Sequence, residues 1–187
     1  MKIKVGVSAR HIHLNEEDYK ILFKDTKLEC IKYLNQPNQF ASNLYVSIKT
    51  NKDIINNVRV IGPLRNYTQV EISKTDAFKL GINPPIKESG DLYNASSITI
   101  ISPLNELNKA CLIIPNRHIH ISKEDMLKYN LNGLKTVSVK VLGEKGGILN
   151  NVYLKESDKA YLELHLDTDD ANSHLINNND EVEIIKE

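Results

Sequence analysis

Val7-Ser8-Ala9-Arg10-His11-Ile12-His13-Leu14-Asn15-Glu16-Glu17-Asp18 and Ile114-Pro115-Asn116-Arg117-His118-Ile119-His120-Ile121-Ser122-Lys123-Glu124-Asp125 are two copies of one segment, 107 residues apart and without a gap. Each copy opens as a short strand, in which residues i and i+2 share a face. His11 and His13 therefore stand side by side, as do His118 and His120, while Ile12 and Ile119 turn the other way, into a core. A cap residue follows, Asn15 or Ser122, then an acidic first helical turn that complements the helix dipole. The Ser122-x-x-Asp125 spacing resembles a capping box. Helices are predicted over 16–23 and 123–129. A period this long excludes a solenoid and points to duplication of a barrel-like unit.

The flanking sequence agrees. Strands are predicted at 44–50, 57–62, 69–73, 97–101, 110–114, 135–142, 151–155, 160–166 and 181–185, separated by Asn, Gly and Pro turns such as Asn83-Pro84-Pro85 and Gly146-Gly147. A third helix fits 75–80, capped by Thr75 and stopped by Gly81, and a fourth starts near Thr168. Many short strands with few short helices suggest small β-barrels. Composition points the same way: Ile and Val number 33 against seven Ala, which favours pleated surfaces over a helical bundle.

The 187 residues suffice for one large domain or two small ones. Lys+Arg and Asp+Glu both number 24, so there is no basic excess of the kind that marks a nucleic-acid binder. No apolar run approaches the ~18 residues of a membrane span, and Met1-Lys2-Ile3-Lys4-Val5 lacks the apolar region of a secretory signal. Cys30 and Cys111 form no CxxC pair, in keeping with a reduced, cytoplasmic setting. Of the 24 basic residues only Arg10, Arg59, Arg65 and Arg117 are arginine. So few guanidinium groups in a Lys-biased chain mark places where a planar, multi-donor cation is needed.

Imidazole pairs on one strand face are candidate ligands for zinc, copper, nickel or iron. A single HxH fits equally well the wet face of a surface strand, but two copies holding four of the six histidines make that reading weaker. His165, in Leu162-Glu163-Leu164-His165-Leu166-Asp167, joins them as a candidate, with Glu163 and Asp167 on its face. His174 has no such company and reads as a surface residue. In Ile61-Gly62-Pro63-Leu64-Arg65-Asn66-Tyr67-Thr68-Gln69-Val70-Glu71-Ile72-Ser73, Arg65 follows a Gly-Pro turn, and Glu71 lies in a strand alternating Gln69/Glu71/Ser73 against Val70/Ile72. That pattern leaves two readings open: an exposed polar strand face, or Glu71 as an oxygen ligand with Arg65 as an anion clamp.

Together, 7–14, Gln36-Pro37-Asn38-Gln39-Phe40-Ala41, Gly62-Pro63-Leu64-Arg65 with 68–73, Glu88-Ser89-Gly90-Asp91, 117–121 and 162–172 resemble the PduL-type phosphate acyltransferases, or phosphotransacylases, over essentially the whole chain. Asn38 departs from the usual Gly after Gln-Pro, and 130–134 lacks the acidic Gly-Asp turn often found there. The resemblance implies a mainly β protein of two small β-barrel domains with short capping helices, related by the internal repeat, with the active site between them. One domain would span 10–115, the other 116–187 completed by the N-terminal strand 1–9. It implies two zinc ions per chain, one held by His11, His13 and Glu71, the other by His118, His120 and His165. Arg65 and Glu71 would be catalytic, with Arg65 holding phosphate. Ser8, Lys32, Arg59, Ile61 and Asn172 would contact coenzyme A.

The implied reaction is acyl-CoA plus phosphate giving acyl phosphate plus coenzyme A, reversibly, by zinc-assisted direct attack of phosphate on the thioester. The partners implied are acyl-CoA and phosphate and a homo-oligomeric assembly, with no nucleic acid and no membrane. The short stretch before Arg10 leaves no room for a microcompartment-targeting extension, so a free cytoplasmic enzyme is expected. A zinc-dependent hydrolase of a thioester or phosphoester, in which water attacks, would need much the same His/Glu set. A metal-storage or structural module would need closed four-ligand shells. Arg10 and Arg117, directly before the paired histidines, are expected to brace them through carboxylates or carbonyls.

Overall fold

The computed structural model describes residues 1–185. The strands are β1 (Lys2–Ser8), β2 (His11–His13), β3 (Cys30–Tyr33), β4 (Phe40–Lys49), β5 (Ile54–Gly62), β6 (Gln69–Glu71), β7 (Ile86–Lys87), β8 (Ser96–Ile101), β9 (Glu106–Pro115), β10 (His118–Ile121), β11 (Thr136–Val141), β12 (Gly147–Glu156), β13 (Glu163–Asp167) and β14 (Glu181–Ile185). The helices are α1 (Glu16–Phe23), α2 (Lys74–Leu80), α3 (Lys123–Lys128) and α4 (Thr168–Ser173). The chain divides into two compact units, one of Met1–Ser8 with Asn116–Glu187, the other of Ala9–Pro115.

The first unit is a closed barrel in the order β1-β13-β10-β12-β11-β14. Its core gathers Val5, Ile119, Ile121, Val139, Val152, Leu164 and Leu166, all buried. The second unit closes a ring of its own: β9 pairs β6, β6 pairs β2, β2 pairs β5, β5 pairs β4, β4 pairs β8 and β8 returns to β9. β3 and β7 are appended at β4 and β9. Ile12, Ile48, Val58, Val60, Val70, Ile100 and Leu112 fill its core. β-branched side chains dominate both interiors because they suit a pleated, half-buried surface.

Taken in ring order, the two units carry the same sequence of parallel and antiparallel pairings. β9, β6, β2, β5, β4 and β8 correspond to β1, β13, β10, β12, β11 and β14. The match extends to single residues. Ile12 faces Val70 as Ile119 faces Leu164, and Glu71 faces Ile113 as His165 faces Gly6. Asn57 and Asn151 sit at matched places in β5 and β12 with φ of 59° and 57°. At both, the register with the neighbouring strand shifts, so each is an irregularity that bends its strand. The duplication thus reaches well beyond the segment that is legible as a sequence repeat.

Several expected boundaries move. Helix α2 starts at Lys74, and its cap is Ser73 rather than Thr75: the Ser73 side chain accepts from the Asp76 N–H and the Asp76 carboxylate accepts from the Ser73 N–H. At α3, Ser122 caps the helix as expected, but its hydroxyl donates to Asp125 Oδ2 at 2.9 Å, so the reciprocal bond is side chain to side chain. β4, β5, β9 and β12 begin earlier than their apolar runs suggest, because their first residues already pair with neighbouring strands. Residues 160–162 lie before β13 rather than in it. β3, whose side chains are all exposed, and the two-residue β7 carry no alternation to reveal them. Asn38, Asn94, Asn130 and Asn179 take positive φ in turns, and Asn57 and Asn151 do so at the strand irregularities. Asn tolerates that region better than other side chains, which accounts for Asn38 standing in for a glycine.

Candidate active site and metal-ligand clusters

In the unit of Ala9–Pro115, β2 and β6 bring His11, His13 and Glu71 together, with ligand atoms all within 4.8 Å of one another. Strand register makes this unavoidable, since His11 faces Glu71 directly and His13 is one pleat along. His11 Nε2 lies 3.5 Å from Glu71 Oε2. The backbone fixes the imidazoles: His11 Nδ1 lies 2.9 Å from the Ala9 carbonyl, and His13 Nδ1 3.2 Å from the Ile61 carbonyl. A carbonyl only accepts, so both Nδ1 atoms carry the proton and Nε2 is the atom that each ring can offer to an ion. Glu71 is 6% exposed and Gln69 fully buried, which removes the exposed-face reading of this strand.

The unit containing β10 and β13 repeats the device. His118, His120 and His165 converge within the same 4.8 Å. His118 Nδ1 lies 2.8 Å from the Asn116 carbonyl, the counterpart of Ala9, and its Nε2 lies 3.2 Å from His120 Nε2. Three convergent imidazoles, with His118 held in one tautomer by a carbonyl, could hold a divalent ion. His174 lies apart from this cluster, its Nδ1 against the Lys145 carbonyl at 2.7 Å.

The arginines before the histidine pairs are braces of matched design. Arg10 meets Asp76 through Nη2 at 2.7 Å and Nε at 2.9 Å. The pairing holds the guanidinium more firmly protonated than usual, chiefly through the Asp76 hydrogen bond. Arg117 Nε meets Asp170 Oδ2 at 2.9 Å. Asp76 and Asp170 occupy the same place on α2 and α4, so each brace ties the residue before the first histidine to the helix after the third ligand. Asp167, the cap of α4, has its carboxyl pushed up by burial, opposed by the N–H groups of Asp169 and Asp170.

Arg65 is anchored by its backbone N–H on the Leu14 carbonyl at 2.8 Å, just past β2. Its Nη1 reaches Tyr67 Oη at 3.1 Å and Ser89 Oγ at 3.3 Å. Ser89 also accepts from Gln69 Nε2 at 2.8 Å, and the same nitrogen lies 2.6 Å from Glu71 Oε1. Arg65, Ser89, Gln69 and Glu71 are therefore one connected network beside the first cluster. Ser89 and Gln69 were given no role by the sequence, although both lie in quoted motifs. Their only signal was proximity to Arg65 and Glu71 that becomes visible after folding.

Of the expected coenzyme A residues, Arg59 is half-buried on β5, with its guanidinium 4.3 Å from the Tyr45 ring centre and Nη1 donating to the Ser42 carbonyl at 2.7 Å. Ile61, on the same strand, uses its carbonyl on His13. Lys32 is exposed on β3, Ser8 ends β1, and Asn172 is exposed on α4. Ser8 and Asn172 belong to one unit, and Lys32, Arg59 and Ile61 to the other. No helix among the described residues is long and apolar enough to cross a membrane.

A sequence model of the phosphate propanoyltransferase family matches residues 4–177. A phosphate propanoyltransferase of Thermotoga maritima is 43% identical over 187 residues, covering 98% of this chain and 89% of that protein. One from Levilactobacillus brevis is 39% identical over 186 residues, covering 99% and 89%. One from Salmonella typhimurium is 43% identical over 173 residues, covering 91% and 82%. Similarity this complete makes the chain an enzyme of the acyltransferase class. It belongs to the phosphate propanoyltransferase family.

Proposed function

We propose that the chain transfers a short acyl group reversibly between coenzyme A and inorganic phosphate, with two zinc ions per chain held by His11, His13 and Glu71 and by His118, His120 and His165. The observation that carries this reading is the pair of three-donor clusters at matched positions of two rings, one of them wired to an arginine. Zinc bound there would supply Lewis acidity toward the thioester carbonyl and a soft acceptor for the departing thiolate.

Arg65 holds the phosphate. Its contacts to Tyr67 and Ser89 engage Nη1 alone, and the remaining N–H donors of a guanidinium grip a phosphate at two points. That orients one phosphate oxygen for attack and offsets repulsion between the dianion and the carboxylate of Glu71. The oxygen bonds to the carbonyl carbon, the C–S bond breaks, and the sulfur leaves with its electron pair as coenzyme A thiolate. Ser8, Lys32, Arg59, Ile61 and Asn172 bind coenzyme A, with the two cations matched to its phosphates. No covalent acyl-enzyme is required, and Cys111, buried with its thiol pushed up to about 12 by burial, is unsuited to form one.

The test is release of coenzyme A from a panel of acyl-CoAs with and without phosphate. Release that depends on phosphate and yields acyl phosphate is expected. Release at the same rate without phosphate would make the protein a thioester hydrolase instead.

A further inference from the structure

On the strands that carry the third donors, the two clusters differ in where the acid stands. In the first, His11 faces Glu71 and His13 faces Gln69; in the second, His118 faces His165 and His120 faces Glu163. The acid has changed places. In the first cluster the carboxylate is the third donor and an amide stands behind it, with Gln69 Nε2 2.6 Å from Glu71 Oε1. In the second the third donor is an imidazole and the carboxylate stands behind it, with Glu163 Oε2 2.8 Å from His165 Nε2. Glu163 is 3% exposed and stands outside the three-histidine cluster.

We propose that Glu163 is the positioning residue of the three-histidine centre: it accepts the His165 Nε2–H and leaves Nδ1 as the atom that this ring offers to the ion. The inference rests on the metal reading above. A buried carboxylate is costly unless hydrogen-bonded, so its burial on the strand face that it shares with His165 calls for a partner, and His165 Nε2 supplies one. Held this way, the ring loses rotational freedom and its basicity toward the ion rises. Each centre then carries one acid, donated directly in one ring and through an imidazole in the other.

A second observation points to the same pair. Gly6 on β1 faces His165, where the other ring has Ile113 facing Glu71. A Cβ on Gly6 would stand 3.0 Å from Glu163 Cδ, and 3.1 Å from both Glu163 Oε2 and His165 Cδ2. The strand next door has thus given up its side chain where the Glu163–His165 contact needs room. The first ring, whose Glu71 carries no imidazole, keeps a buried isoleucine there.

The experiment is zinc titration against a competing chelator on the full chain, the Glu163→Gln variant and the Gly6→Ala variant, with cobalt spectra of the same samples. The unmodified chain is expected to show two ions. Both variants should keep one ion at the original affinity and bind the other about 10- to 100-fold more weakly, the range for loss of an outer partner of a ligating histidine. The cobalt spectrum should change for that ion alone. Circular dichroism and metal-free melting establish that each variant is folded. A Glu163→Gln protein that does not fold leaves the decision to Gly6→Ala, which moves the pair without removing the acid. Folded variants with both affinities unchanged overturn the role of Glu163 while leaving the metal reading intact, as does equal weakening of both ions. An unmodified chain that binds no ion overturns both.

Discussion

Asp76→Ala is expected to destabilise the unit built on Ala9–Pro115 by about 2–3 kcal/mol. The Asp76 carboxylate is 5% exposed and accepts two hydrogen bonds from Arg10, at 2.7 and 2.9 Å. Hydrogen bonds to charged groups contribute about 1.5–3 kcal/mol, and about 1.5–2.5 kcal/mol is taken for the pair together because one partner can return to water. Arg10 is such a partner, its side chain being 41% exposed. Loss of the acid half of the Ser73–Asp76 capping box adds about 0.5 kcal/mol. For a chain of this size the sum lowers the melting temperature by about 4–12 °C. Asp170→Ala removes one contact from a pair that is 34% and 23% exposed, so about 1 kcal/mol is expected there. The assay is thermal and urea unfolding of both variants in metal-free form, at low and high salt. A change below about 0.5 kcal/mol for Asp76→Ala, or equal effects at the two sites, would refute the reasoning and reduce the Arg10 brace to a screened surface contact.

Arg65→Ala is expected to raise the KM for phosphate about 10- to 100-fold, from the loss of charge-assisted bonds of about 1.5–3 kcal/mol, while the KM for acyl-CoA changes little; parallel changes in steady-state kinetics would remove the phosphate role. Alkylation of the native protein near pH 8 should label the exposed Cys30 and spare Cys111. With its thiol raised from 9.0 to about 12, Cys111 holds about a thousandfold less thiolate, so mass spectrometry should find one adduct natively and two after denaturation. The sign for stability follows: the folded state holds the Cys111 proton more tightly, so its contribution persists at neutral pH and is lost only as pH rises toward about 12.

The parts of the fold that could be read from the chain are those in which chemistry and periodicity coincide. The paired RHIH segments keep sequence identity because both histidines and the inward Ile12 or Ile119 are constrained at once. The second half of the repeat is hidden. Residues 69–77 and 163–171 occupy matched places in the two rings, yet only Asp76/Asp170 and Ala77/Ala171 are identical. Barrel geometry asks for a donor at Glu71 and at His165 and a helix cap at Ser73 and at Asp167, and different side chains satisfy each demand. Glu163 was visible as a neighbour of His165, but its burial and hydrogen bond appear only once β13 is paired with β1 and β10. Ser89 reaches Arg65 from 24 positions further along the chain, a proximity that no local pattern encodes.

Zinc content and phosphate-dependent coenzyme A release, measured on one sample as purified, after prolonged chelation, and after return of zinc, test the central claim most directly. Two ions per chain are predicted, with activity lost on their removal and regained on their return, and with Glu71→Ala and His120→Ala each retaining a single ion and no activity. Full phosphate-dependent activity in verified metal-free protein would contradict the account.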